Sequence, residues 1–190
     1  MKIECFDIVC YKLQIVKLNS ITKFQQDMKT IIVMRHAKAE SDSPTDNDFD
    51  RRLNKKGILE AKNFAEKIYH LGVVPQLIIT SPVVRALSTA NILAEYYDLK
   101  EKMVLKNYLY NRLYTFEEIV KDIDVINTNS NTALVVGHNP TISYLLQQID
   151  SDTKGLLSTS NAVIFDFHVD NWSEVTASIS KRRCFIYKAE

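Results

Sequence analysis

Three short apolar runs in this chain each end at residues able to handle a phosphoryl group. Ile31-Ile32-Val33-Met34 leads to Arg35-His36, Leu77-Ile78-Ile79-Thr80 leads into Ser81-Pro82 and then Arg85, and Ala133-Leu134-Val135-Val136-Gly137 leads to His138. A neutral imidazole is a good nucleophile, and histidine is largely neutral at cellular pH. His36 is therefore the candidate nucleophile. Arg35 and Arg85 would clamp phosphoryl oxygens through forked hydrogen bonds, and His138 would donate another as charge shifts in the transition state. One guanidinium about 4 Å from a unit charge contributes on the order of 4 kcal/mol at an effective dielectric of about 20, before desolvation. Two of them offset the repulsion between a phosphate dianion and an approaching lone pair, so this residue set calls for no metal and no cofactor. Each piece alone is weak, because a lone Arg-His pair or a Gly-His-Asn-Pro turn is common. All three in this order, each after a strand-like run, is much less frequent by accident. His70 and His168 lack such a setting and are read as structural.

The elements that must position these residues follow from apolar patterning. Continuous apolar runs of this length suggest strands covered on both faces, as in a parallel sheet, and open α/β sheets bind ligands at the carboxyl edge of their strands. Residues 37–52 are polar, with Pro44 and four aspartates, and read as a long loop. Ile58, Ala61, Phe64, Ala65, Ile68 and Leu71 mark one face of a helix, with Asn54 as N-cap and Gly72 just past its end. Ser81 is expected to cap a second helix with Pro82 in its first position, burying Ala86, Leu87, Ala90, Leu93, Ala94 and Tyr97. Met103–Leu105 reads as a strand. Thr115-Phe116-Glu117-Glu118 has capping-box spacing and opens a helix with Ile119, Val120 and Ile123 inward, which makes the two glutamates cap residues. Asn139 is expected to cap a further helix with Pro140 first and Ile142, Leu145 and Leu146 inward. The tail alternates as strands do near 162–168 and 175–179, with a last apolar piece at 184–187. Strands alternating with helices predict an α/β fold, a three-layer α/β/α sandwich around a mostly parallel sheet. The boundaries read as an N-terminal extension over residues 1–27 and one domain over 28–190.

Bulk composition excludes other classes. Among 190 residues, 24 basic and 23 acidic side chains leave a net charge of +1, which gives no electrostatic case for nucleic acid or an anionic membrane as partner. The odd set of three cysteines, Cys5, Cys10 and Cys184, contains no CxxC pair and suggests neither a disulfide framework nor a zinc knuckle. No apolar run has the length needed to span a bilayer, and charged residues interrupt any signal-peptide core at the N-terminus. A cytoplasmic protein is expected.

Arg35-His36-Ala37-Lys38-Ala39-Glu40 resembles the RHAxA(E) motif of the SixA-like phosphohistidine phosphatases, part of the histidine phosphatase (phosphoglycerate-mutase-like) superfamily. Asp50-Arg51-Arg52-Leu53-Asn54, followed by Gly57, resembles that family's DRPLT…G segment, with Arg52 where proline is usual. Ser81-Pro82, Arg85-Ala86 and Thr89 match its SPxxRAxxT motif, Leu109-Tyr110 its LY pair, and Val135-Val136-Gly137-His138-Asn139-Pro140 its VGHNP motif. The likeness covers roughly residues 30–190. It implies a phosphoglycerate-mutase-like fold and a covalent phosphohistidine on His36, with Arg35, Arg85 and His138 completing the pocket. Arg51 and Asn139 are the further candidates for substrate contact. The partner would be a phosphohistidine-bearing protein or a small phosphorylated molecule. Larger members use a carboxylate as general acid, and the stretch Tyr108–Thr115 offers none. The readings carried forward are a protein phosphohistidine phosphatase, a small-molecule phosphomonoesterase, and a non-catalytic phospho-ligand module.

Overall fold

The computed structural model describes residues 28–126, 129–153 and 155–186. The first segment, residues 1–27, lies outside them, as do Cys5 and Cys10. Among the described residues, six strands form one sheet in the order β3-β2-β4-β1-β5-β6. They are β1 (Lys29–Arg35), β2 (Leu77–Thr80), β3 (Met103–Leu105), β4 (Thr132–Gly137), β5 (Ala162–Phe167) and β6 (Lys181–Ile186). The pairs β1–β4, β2–β4 and β2–β3 are parallel, whereas β5 runs antiparallel to both β1 and β6. The sheet is thus mostly parallel, as predicted.

Side chains alternate across the central strands, and both faces are apolar. Ile31, Val33, Leu77, Ile79, Ala133, Val135, Val163 and Phe165 pack on one side. They meet the helices α4 (Phe116–Ile126) and α5 (Thr141–Ile149) through Ile119, Ile123, Ile142 and Leu145. On the other side, Ile32, Met34, Ile78, Leu134, Val136 and Ile164 pack under α1 (Lys55–His70) and α2 (Val84–Tyr97), through Phe64, Ile68, Ala90 and Leu93. The short helix α3 (Tyr108–Asn111) follows β3. Helices on both faces make the three-layer sandwich, and the unbroken apolar runs are what a sheet buried on two sides requires.

Most local signals hold. The Asn54 side chain accepts from Gly57 N at 2.8 Å and caps α1, and Gly72, with φ of 71°, lies just beyond its end. Thr115 and Glu118 make the reciprocal capping box, with bonds of 2.8 and 3.3 Å. Four expectations need correction. The helix after Ser81-Pro82 starts at Val84, because the Ser81 hydroxyl accepts from Val83 N at 3.2 Å and holds that residue extended. The helix after Asn139 starts at Thr141, because the Asn139 side-chain oxygen accepts from the Ser143 hydroxyl instead of a backbone N–H of the first turn, and its amide nitrogen donates to Leu157 O. Residues 175–179 are not a strand. Val175 docks into the core and Ala177–Ile179 forms a 3-10 turn, so two inward contacts produce the alternation without a ladder. Two ends of the α1 stripe, Ile58 and Leu71, are 40% and 50% exposed rather than buried.

The first turn of α1 presses on the loop that leaves β1. A Cβ built on Gly57 would lie 2.0 Å from the backbone oxygen of Lys38, two residues past His36. Backbone cannot yield as a flexible side chain does. Gly57→Ala is expected to lose more than about 2 kcal/mol in urea unfolding. A loss under about 0.5 kcal/mol, the range of ordinary surface changes, would contradict this packing.

Candidate active site

Strand register brings the two histidines together. Arg35, the last residue of β1, pairs with Gly137, the last of β4. His36 N donates to Gly137 O at 3.0 Å, and His36 O accepts from Ser160 N at 3.2 Å. Both carboxyl ends therefore project one histidine each to the same edge, and the rings of His36 and His138 stand 4.8 Å apart. Thr89 adds a tether from α2, since Ala37 N donates to its hydroxyl at 3.0 Å while that hydroxyl donates to Arg85 O at 2.7 Å. Arg85 lies in the first turn of α2 and reaches the same place.

The hydrogen bonds define the state of His36. Nδ1 lies 2.8 Å from Ala37 O, an acceptor only, so Nδ1 carries the proton. Nε2 then bears a lone pair, and it accepts from Arg85 Nε at 3.3 Å. Burial pushes the His36 imidazole down to about 4, reinforced by Arg85, Arg35 and Arg51, while its bond to Ala37 opposes the shift. His138 is pushed down to about 2 by burial, then by His36 and Arg85. Both rings are neutral at physiological pH. Among the described residues, three buried nitrogens have no protein partner, namely Arg35 Nε and both ring nitrogens of His138. An orphaned buried polar group costs about 1–3 kcal/mol, and the oxygens of a phosphoryl group would accept from Arg35 Nε and from the one N–H that a neutral His138 carries. Arg35 also donates through Nη1 to Leu157 O at 2.8 Å, which fixes its orientation.

The structure unites His36, Arg35, Arg85 and His138. It treats the two further candidates differently. Arg51 sits at the rim, donating to Glu40 O at 3.0 Å and to Asp48 at 2.9 Å. Asn139 spends both ends of its amide on scaffolding, donating to Leu157 O at 2.8 Å and accepting from Ser143 at 2.6 Å. It holds the loop that orients Arg35. Asp48 was not among the expected site residues. Its backbone oxygen accepts from Arg85 Nη1 at 2.7 Å and its carboxylate from Arg85 Nη2 at 2.9 Å. Tyr110 was marked only by its motif, and it donates to the same carboxylate at 3.2 Å while its ring packs 5.3 Å from that of His138. One of four aspartates in a polar loop carries no signal of its own. Among the described residues no group of three or more His, Cys, Asp or Glu could hold a metal ion, and no helix is long and apolar enough to cross a membrane.

Residues 31–114 match the histidine phosphatase superfamily, branch 1. This segment belongs to the histidine phosphatase superfamily. It contains Arg35, His36, Arg51 and Arg85, and His138 joins them from outside it through the β1–β4 pairing. Among solved structures, the chain resembles an assigned phosphohistidine phosphatase SixA from Nakamurella multipartitia, with a TM-score of 0.71 and 17% identity over 86% of this chain and 98% of that one. A protein histidine phosphatase SixA complexed with tungstate gives a TM-score of 0.68 and 19% identity, over 83% of this chain and 96% of the other. A mycobacterial glucosyl-3-phosphoglycerate phosphatase gives 0.63 and 13%, over 86% of this chain and all of that one. At these identities the likeness speaks for the fold. No curated protein sequence matches the chain.

The depressed histidines link the site to stability. The unfolded chain takes up protons on these rings near pH 6.5, whereas folded His36 refuses its proton until about 4. Stability conferred by keeping His36 neutral is complete above about pH 6.5 and is lost as pH falls toward 4. NMR titration is expected to show the His36 ring still neutral at pH 5.5. A midpoint near the ordinary value of 6.5 would contradict the burial argument.

Proposed function

We propose that this protein is a phosphatase that takes a phosphoryl group onto His36 Nε2 and passes it to water, with a phosphohistidine-bearing protein as its substrate class. The observation that carries this reading is the state of His36. Nδ1–H is tied to Ala37 O, and Nε2 keeps its lone pair beside Arg85 and the His138 ring.

The chemistry follows in two steps. Nε2 attacks phosphorus, the P–Nε2 bond forms and the bond to the leaving group breaks. Charge on the transferring oxygens is held by Arg85, Arg35 and His138, which are aimed before the reaction begins. A water then attacks the phosphohistidine, orthophosphate leaves, and Nε2 regains its lone pair. Neutrality of His36 favours the first step, because a protonated ring has no lone pair to give.

The substrate class rests on the leaving group. An alkoxide needs a proton donor, and such assistance is typically worth about 10²–10⁴-fold. Burial raises the Asp48 carboxyl, but hydrogen bonds from Arg85 and Arg51 outweigh it and hold the group below the usual carboxylate range. It is a poor acid at neutral pH. Glu118 is engaged by Arg112 and Thr115. An imidazole leaving from a P–N bond is expelled far more easily than an alkoxide, which favours phosphohistidine. The second reading is a small-molecule phosphomonoesterase, since the same fold serves the glucosyl-3-phosphoglycerate phosphatase.

A substrate panel separates the two. kcat/KM is expected to be highest on a phosphohistidine protein, lower on an aryl phosphate and lowest on a sugar phosphate. Equal values on a sugar phosphate and a phosphohistidine protein would contradict the first reading. Arg85→Ala is expected to lower kcat about 10²–10³-fold, by analogy with loss of an oxyanion donor. Unchanged turnover would remove Arg85 from the mechanism.

A further inference from the structure

We infer that Asp48 is a built-in competitor for the phosphoryl site: it holds Arg85 between turnovers and drives orthophosphate off the enzyme after each one. The inference rests on the pocket being a phosphoryl site, as proposed above.

The contacts around Asp48 mirror those a phosphate would make. One carboxylate oxygen accepts from Arg85 Nη2 at 2.9 Å and from Tyr110 Oη at 3.2 Å, and the other accepts from Arg51 Nη1 at 2.9 Å. The backbone oxygen of the same residue takes Arg85 Nη1 at 2.7 Å. Asp48 thus engages both terminal nitrogens of the Arg85 fork, leaving Nε directed at His36. A phosphoryl group on His36 needs the same fork. The two anions compete for it.

The competition is reversible because the partners differ in exposure. The Arg85 side chain is 8% exposed and the Asp48 side chain 49%. Arg85 is fixed in the pocket wall, whereas Asp48 reaches in from the solvent side and can be rehydrated when it leaves. Its grip is moderate, since half-exposed ion pairs are weakened by water. The turn that delivers it is built for the position. The Asn47 side chain caps it by accepting from Phe49 N at 3.1 Å, and the Phe49 ring packs edge-on to Tyr110 at 5.9 Å.

The consequence is selectivity against free phosphate. A phosphorylated protein brings contacts beyond the phosphoryl group, and that binding energy can displace Asp48. Orthophosphate has no such surplus once its bond to the enzyme is cut. Without a competitor, a pocket of two arginines would retain its product.

The test measures orthophosphate binding by calorimetry, and turnover of an aryl phosphate separately, on the full chain. Asp48→Asn and Asp48→Ala are expected to bind orthophosphate about tenfold more tightly or better, the loss of at least one charge-assisted competing hydrogen bond. Asp50→Asn is the control, because Asp50 carries the same charge on the same turn and bonds to Thr45 rather than Arg85. It is expected to change affinity less than about twofold, since its half-exposed carboxylate bonds to Thr45 and its charge is screened. Unchanged affinity in both Asp48 variants overturns the inference, as does equal tightening in Asp50→Asn, which would reduce the effect to net charge. A steep fall in kcat on alkyl phosphates with unchanged orthophosphate affinity also overturns it, and would make Asp48 a proton donor. Tightening without turnover in any form would leave the competitor in place and remove the phosphatase reading. Thermal melting of each variant confirms that the fold is retained.

Discussion

The pairing of β1 with β4 is the constraint on which the site depends. Thr30 lies opposite Thr132 and the ladder runs without a break to Arg35 opposite Gly137. Parallel strands in this register end at the same level, so the residues that follow them emerge side by side. A slip of one residue would turn every side chain to the other face and carry one histidine away from its partner. Register is strongly specified here because both faces of both strands are buried. Gly137 tightens the junction further, as a Cβ there would meet Ile142 at 3.1 Å and the Tyr114 hydroxyl at 3.3 Å.

That geometry creates an unusual electrostatic setting. Two imidazoles share a buried corner with Arg35 and Arg85. Burial and the guanidinium charges act in the same direction on the rings and keep both neutral. The arginines supply the positive charge, so the histidine nitrogens are left to act as nucleophile and hydrogen-bond donor. The division of labour is physical: a guanidinium stays charged in surroundings that discharge an imidazole. Asp48 completes the arrangement by holding the Arg85 fork and lowering the net charge of the pocket.

Much of this was legible in the amino-acid order. Unbroken apolar runs such as Ile31–Met34 and Ala133–Val136 announce strands buried on both sides, and residues at their carboxyl ends must gather at one edge. That logic reaches Arg35, His36, Arg85 and His138 without coordinates. It does not reach Asp48, whose place depends on how a polar loop folds back over α2, a matter of tertiary contacts rather than periodicity. Nor does it separate a binding residue from a scaffold residue. Asn139 follows a site histidine in sequence, yet its amide is consumed by Leu157 and Ser143. Local rules failed where a side chain found a partner other than the expected backbone group, as at Ser81 and Asn139, and where alternation came from docking rather than pairing, as at Val175 and Ala177.

The central claim is that the neutral Nε2 of His36 bonds to phosphorus during turnover. Rapid acid-free quenching of the enzyme with a 32P-labelled aryl phosphate, followed by peptide mapping, tests it most directly. The account predicts an acid-labile label on the peptide containing His36, absent from His36→Ala and still formed, at a lower rate, in His138→Ala. Label that persists in His36→Ala, or that maps to the peptide containing His138, would contradict it.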